Sequence, residues 1–423
     1  GTRWKPAVVR PTSARAGRSP KVPPGSRSRV PLQRRSGSRA PFADLSAAPV
    51  AAPARPVGRY AARSPLAPLP VDFALSGLAQ SSGPIDWAAL EAALDSIGRA
   101  LAWRSGLTAF ALAPPLLLAA ARLGWLDPRP GVRSERKSQI PAAPIGGLLL
   151  ALALASGWWF SSAQAGHLLA TFGLPPDGAR DLTQGLQFPP PLPLLGLLLA
   201  LLLGCLDDLW RGGLGPLPKF CGQLLSALPL GLWAHGAGYL GQDGAAAAGL
   251  ACLAAVAAMN LVNTWDNADG AALSLGAVLA LPGGHPALLG ACLGLLPWNL
   301  RRPRSAGPLP QLYLGDGGSH LLGMSIALQP ELAPILLLPA LDLTRLSIER
   351  WRRGSRPWIG DRRHLSHLLS ARGLARPLVL LLLALALLPA IHPATWPLGA
   401  LLYLALWRFA SLGDPGGSAR RAP

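Results

Sequence analysis

The chain has 423 residues, half of them hydrophobic and only 14% charged, with a mean hydropathy of +0.33. Soluble domains carry about 25% charged residues, so composition argues against a plain water-soluble enzyme and, with Leu and Ala dominating after residue 100, against a wholly disordered chain. Of the net +19, residues 1–70 supply +13, from 14 Lys and Arg against the single acid Asp44. The high pI therefore describes a tail and gives no nucleic-acid footprint for the whole protein.

Residues 1–100 read as a disordered, basic Arg/Pro/Ser-rich extension, with a short amphipathic helix over 84–100. Its acid-poor, Arg- and Ser-rich start has transit-peptide composition, and a chain opening on Gly1 also reads as a fragment or a mis-set start. Residues 101–410 form the predicted membrane domain and 411–423 a short basic tail. Uncharged runs cover 105–121, 138–176, 182–206, 220–242, 244–265, 271–300 and 377–407. A spanning helix needs about 20 apolar residues, so some runs hold one helix and the longest two. Turn signals at 282–286, 330–331 and 389–397 divide the rest. The fold class expected is all-α: a polytopic integral membrane helix bundle of about 10–11 transmembrane helices. Cys205, Cys221, Cys252 and Cys292 lie in apolar stretches without framework spacing and read as small buried hydrophobes.

Loop charge sets orientation. The basic loops 122–137, 207–219, 300–304 and 345–376 and the tail from Arg408 alternate with the Lys/Arg-poor segments 161–191, 241–244, 282–286, 330–331 and 392–397. The basic set belongs in the cytoplasm. An odd number of spans then puts the amino terminus outside, in conflict with its basic tail.

Four polar segments fall on or near the cytoplasmic ends of spans. Asp207-Asp208 closes a Leu-rich run, with Lys219 and Gln223 following. Adjacent carboxylates at a membrane-embedded helix end repel unless a cation compensates. Side chains one position apart point about 100° apart, which allows one to meet a metal and the other a substrate. A solvated acidic loop end and an ordinary positive-inside lysine are the plain alternatives. In 260–270, Asn260, Asn263, Asp266 with Asn267, and Gly270 recur at three- and four-residue steps, and Asp269 follows, so one helix face is polar. Such a stripe suits a cavity, and its amides suit a nucleobase or sugar; a helix cap with a turn at Asp269-Gly270 is the alternative. Next comes Gly315-Asp316-Gly317-Gly318-Ser319-His320. Glycines let backbone N–H groups approach phosphate, Asp316 offers a hard oxygen, and Ser319 is placed to cap the next helix; a plain Gly-rich loop explains it as well. The fourth segment, 345–376, holds His364 and His367 three residues apart, on one helical face, with Arg362 and other arginines. A lipid-facing basic anchor accounts for many of those arginines and leaves the paired histidines over.

Taken together and in order, these segments resemble the polyprenyl-phosphate N-acetylhexosamine-1-phosphate transferases, integral membrane enzymes of cell-envelope glycan synthesis. The family pattern is an Asp-Asp pair followed by Lys, an N-x-x-N-x-x-D-G-x-D-G segment, a G-D-x-G-S loop and a His-rich loop, and the likeness covers about 104–410. Arg133 to Gly147 is similar to the first cytoplasmic loop and following span, and Leu341 to Arg345 to the lead-in to the His loop. The form D-R-x-H-L-x-H-L-L is closer to the branch using N-acetylglucosamine-1-phosphate than to the muramoyl-pentapeptide branch, which is the alternative. Two residues depart from the pattern: Ser366 replaces the middle histidine, and Asn267 replaces the glycine of the first D-G.

The resemblance implies transfer of a sugar-1-phosphate from a UDP-N-acetylhexosamine to undecaprenyl phosphate, with UMP released, in a bacterial inner membrane and with the active site facing the cytoplasm. It implies Mg²⁺, with Mn²⁺ admissible, held by Asp316, Asp207 and Asp269, and catalytic roles for Asp207, Asp208 and Asp316. Lys219, Asn260, Asn263, Asp266, Asp269, Arg362, His364 and His367 would bind substrate. Membrane lipid is a partner, nucleic acid is not, and a homodimer is compatible. An inactive lipid-sugar-binding scaffold and a transporter are the rival classes; no internal repeat supports the transporter.

Overall fold

A computed structural model of the chain describes residues 87–126, 142–172, 189–210, 213–281, 285–301, 309–355, 363–392 and 394–412. The chain partitions into residues 1–58 and 59–423, and the first part lies outside the described residues.

Described in chain order, the elements are α1 (Trp87–Arg122), β1 (Ala142–Ala143), α2 (Gly146–Thr171), α3 (Pro191–Leu209), α4 (Pro216–Ala237), α5 (Gly244–Trp265), α6 (Ala271–Ala280), α7 (Pro286–Leu300), β2 (Gln311–Leu312), α8 (Gly315–Ala327), α9 (Leu337–Arg352), α10 (Leu365–Ala371), α11 (Arg376–Leu387) and α12 (Trp396–Ser411). Short 3-10 turns at Pro330–Leu336 and Leu388–Ile391 join α8 to α9 and α11 to α12. This is a polytopic helical membrane protein. Among the described residues, four helices are long and apolar enough to cross a bilayer: Ala88–Arg122, Gly146–Ala170, Pro191–Leu209 and Gly244–Trp265. The shorter apolar helices Ala271–Ala280, Pro286–Leu300 and Arg376–Ile391 occupy the runs that turn signals divide.

Sequence explains the starts and stops. Pro191, Pro216 and Pro286 each stand first in their helix, where the missing N–H costs nothing and φ is already set. Gly238 ends α4 at φ +80, a backbone that L side chains resist. One expected boundary is corrected. From Trp87 the segment expected as a separate helix is continuous with the first span, running through Gly98 and Gly106 with Leu90 and Leu101 both buried. Residue 100 lies inside this helix.

Leucines such as Leu198, Leu202, Leu224, Leu228 and Leu232 stay exposed on α3 and α4, as expected of surfaces facing lipid. Small residues instead mark the helix contacts. A Cβ on Gly290 of α7 would come within 1.9 Å of the Ala102 carbonyl oxygen on α1, and one on Gly294 within 2.3 Å of the Gly106 carbonyl oxygen.

At the centre lies α8, buried from Gly317 to Met324 and packed by α2, α3 and α5. Its start is pinned by a two-residue parallel pairing, Ala142 with Gln311 and Ala143 with Leu312. The Gly146 and Gly147 N–H groups extend that ladder to the Tyr313 and Leu314 carbonyls at 2.8 and 2.9 Å. Glycine is required on both sides: a Cβ on Gly147 would lie 2.3 Å from the Gly318 nitrogen, and one on Gly204 of α3 would lie 2.3 Å from the Asp316 carbonyl oxygen.

Candidate functional site

Around that pinned start the first three polar segments meet. Asp207, in the last turn of α3, accepts the Leu214 N–H and a bond from Lys219 Nζ at 3.2 Å. Lys219, in the first turn of α4, also donates to Asp316 Oδ2. Asp316 Oδ1 accepts Asn263 Nδ2 from α5 at 2.6 Å, and the same amide reaches Ser319 Oγ at 3.1 Å. Four helices thus converge on two carboxylates joined across one ammonium, all of them only partly exposed. Charge-assisted bonds of this kind are strong where water is sparse.

Asp208 has a different task from its neighbour. Its two oxygens accept the Asp316 and Gly317 N–H groups, each at 3.1 Å. It caps α8 from outside the helix, and its charge complements the positive end of the helix dipole. Ser319, expected to cap α8, does not: Gly315 at φ +73 lets the helix begin earlier, and Ser319 Oγ instead donates back to the Asp316 carbonyl at 3.2 Å. Each Asp208 oxygen accepts one backbone N–H, which anchors the α8 terminus and leaves further lone pairs on the carboxylate.

Beside this cluster runs a polar chain. Asn260 Nδ2 donates to Gln223 Oε1 at 2.8 Å, and Gln223 Nε2 lies 3.2 Å from His320 Nε2. Gln223 and His320 are buried. Since the Gln223 oxygen is taken by Asn260, its amide nitrogen is the donor to His320, which leaves the imidazole proton on Nδ1.

The remaining predicted residues fall into a second group. Asp266 sits at the C-terminal cap of α5, its N–H bonded to the Val262 carbonyl at 2.9 Å. Asp269, expected as a third metal ligand, forms an ion pair with Arg376 at the start of α11. His364 precedes α10 and His367 lies within it, their ring centroids 6.3 Å apart. Arg362 lies outside the described residues. His364 Nδ1 meets Asp342 Oδ2 at 2.7 Å, and Asp342 also accepts the Leu365 N–H at 3.2 Å, Tyr403 Oη–H at 2.9 Å and Arg345 Nη2 at 2.9 Å. Arg345 in turn holds the Arg363 carbonyl at 2.6 Å.

That buried carboxylate orients the histidine, as carboxylates beside functional imidazoles commonly do. Sequence reading assigned no role to Asp342, Tyr403 or Arg376. The available signal was a lone carboxylate inside an apolar run, at the step of three that brings Asp342 and Arg345 together.

Asp207 and Asp316 are the side chains here that could hold a hard divalent cation such as Mg²⁺. Mg²⁺ keeps several waters and is usually held by one or two carboxylates plus substrate phosphates. Among the described residues no group of three or more His, Cys, Asp or Glu side chains stands together as a cage. Asp207 and Asp316, sharing the Lys219 cation, are the pair that matches.

Known proteins are similar to this part of the chain. The pattern of glycosyl transferase family 4 matches residues 191–330, which carry Asp207, Asp208, Lys219, Asn260, Asn263 and Asp316 and stop short of the histidines. The chain is 28% identical over 344 residues to a decaprenyl-phosphate N-acetylglucosaminephosphotransferase of Mycobacterium tuberculosis, covering 66% of this chain and 77% of that protein. A protein of the same description from Mycolicibacterium smegmatis is 28% identical over 251 residues, 44% of this chain, which spans 58% of the relative. An undecaprenyl-phosphate alpha-N-acetylglucosaminyl 1-phosphate transferase of Yersinia pestis is 29% identical over 162 residues, 32% of this chain and 44% of that protein. The chain is thus similar to polyprenyl-phosphate N-acetylglucosaminephosphotransferases, and its residues 191–330 match the glycosyl transferase family 4 pattern.

Proposed function

We propose that the protein transfers N-acetylglucosamine-1-phosphate from its UDP-sugar to a polyprenyl phosphate. The observation that carries this reading is the convergence of Asp207, Lys219, Asn263 and Asp316, four side chains from four helices. It is supported by relatives whose names state that transfer.

In this reading a phosphate oxygen of the lipid attacks the sugar-linked phosphorus of the donor. The bond from that phosphorus to the bridging oxygen breaks, and UMP leaves with the electron pair. Asp207 faces the lipid phosphate and takes its proton where one is present. Lys219 holds a phosphate oxygen by charge, moving from the carboxylates to the substrate. Asn263 keeps Asp316 in one orientation, and Asp208 keeps the α8 terminus fixed beneath it. Asp266 and Asp269 stand on the nucleotide side, and His364, with its ring set by Asp342, faces the diphosphate together with His367. Mg²⁺ or Mn²⁺ bound by Asp207 and Asp316 would neutralise the diphosphate and stabilise the departing UMP. The alternating loop charge supports a cytoplasmic active site in an inner membrane.

The test is UMP release from UDP-N-acetylglucosamine by membrane-inserted protein given undecaprenyl phosphate and Mg²⁺. Release that requires all three, with a lipid-linked diphosphate sugar as co-product, is expected. Silence with every UDP-N-acetylhexosamine tried, from correctly inserted protein, would overturn the proposal.

A further inference from the structure

The two residues that depart from the pattern meet each other. Ser366 Oγ in α10 donates to Asn267 Oδ1 in the turn between α5 and α6, across 99 positions of sequence. Asn267 Nδ2 is spent on the Thr264 carbonyl at 2.9 Å, so its side chain is held at both ends. Both residues are buried, at 8% and 3% exposure. The gap they share with Trp265, Ala271, Asp342 and Leu383 holds no water-sized space, and the buried Trp265 indole N–H finds no acceptor among the described residues.

We propose that Asn267 and Ser366 act as one paired positioning device, a latch that sets the spacing between the turn bearing Asp266 and Asp269 and the helix flanked by His364 and His367. This rests on the function proposed above. Asp342 already fixes the start of α10 through the Leu365 N–H and His364. Arg372 ties the far end of α10 to the Ala410 and Phe409 carbonyls, and Ser366 adds the bond that joins the helix to the turn after α5. The two positions are also sterically reciprocal. In this proposal a larger imidazole at 366 competes with the Asn267 side chain for a gap that has no water-sized space to spare. A glycine at 267 vacates that volume. In this proposal each departure compensates the other.

The test is a set of cycles on the full-length chain, reading donor and lipid kinetics and thermal unfolding together. Asn267→Ala and Ser366→Ala are each expected to lower kcat/KM for the UDP-sugar about 5- to 10-fold through a raised donor KM, leaving the KM for polyprenyl phosphate unchanged. The double variant should lose no more than the worse single. Ser366→His alone should lose activity and melt earlier, and adding Asn267→Gly should recover at least half of both losses. Additive losses in the alanine cycle, or no rescue of Ser366→His by Asn267→Gly, would overturn the latch. If the wild type releases no UMP, the functional reading fails, and the latch is judged on melting temperatures: coupling in both cycles supports it and additivity refutes it.

Discussion

Asp316 is the residue on which the site turns, since it is where Lys219 and Asn263 both arrive. Replacing it by Asn preserves shape and removes the charge that organises the cation, so Asp316→Asn should lower the transfer rate about 100-fold or more while the protein inserts and folds normally. Lys219→Met should lose rate to a similar degree and leave Asp207 and Asp316 repelling each other. Initial-rate UMP release beside a melting curve separates the two effects. Full turnover by a well-folded Asp316→Asn protein would remove this residue from the chemistry. Asp208, one position from Asp207, has different partners: its oxygens accept backbone N–H groups 108 and 109 positions away.

At the scale of elements, the precision of the site depends on how closely α3, α2 and α8 approach. Glycines set that approach. Gly204→Ala puts a methyl group 2.3 Å from the Asp316 carbonyl oxygen, so α3 and α8 must part. We expect a loss of about 1–3 kcal/mol from overpacking, with the transfer rate falling more than stability predicts because Asp207 moves away from Lys219. Gly249, on the same scale of change, faces open space on α5, and Gly249→Ala should leave unfolding and rate within error or raise stability slightly. Equal effects of the two substitutions would show that the α3–α8 approach does not govern the site.

For the whole molecule, the decisive property is sidedness. With the native cysteines replaced, a single cysteine at Ser355, in the Arg-rich loop after α9, should react with an impermeant maleimide only in inverted membranes. One at Gln242, in the short turn between α4 and α5, should react only in right-side-out membranes. Reaction of both from the same face would refute the alternating topology and with it the cytoplasmic placement of the carboxylates.

Reading the chain alone reached the membrane-helix class and most of the helix runs, because hydrophobic length and turn residues are local properties that each segment carries within itself. It also reached Asp207, Lys219, Asn263 and Asp316 as candidates, because charged and amide groups beside lipid need a reason. It did not reach the cap made by Asp208, the Asp342–Tyr403 support of His364, or the pairing of Asn267 with Ser366. Those contacts join residues 22 to 109 positions apart, and nothing in local periodicity says which face of one helix will meet which face of another. Partners are chosen by packing: glycines that admit a backbone, a helix start left with unpaired N–H groups, and buried oxygens that must find a donor.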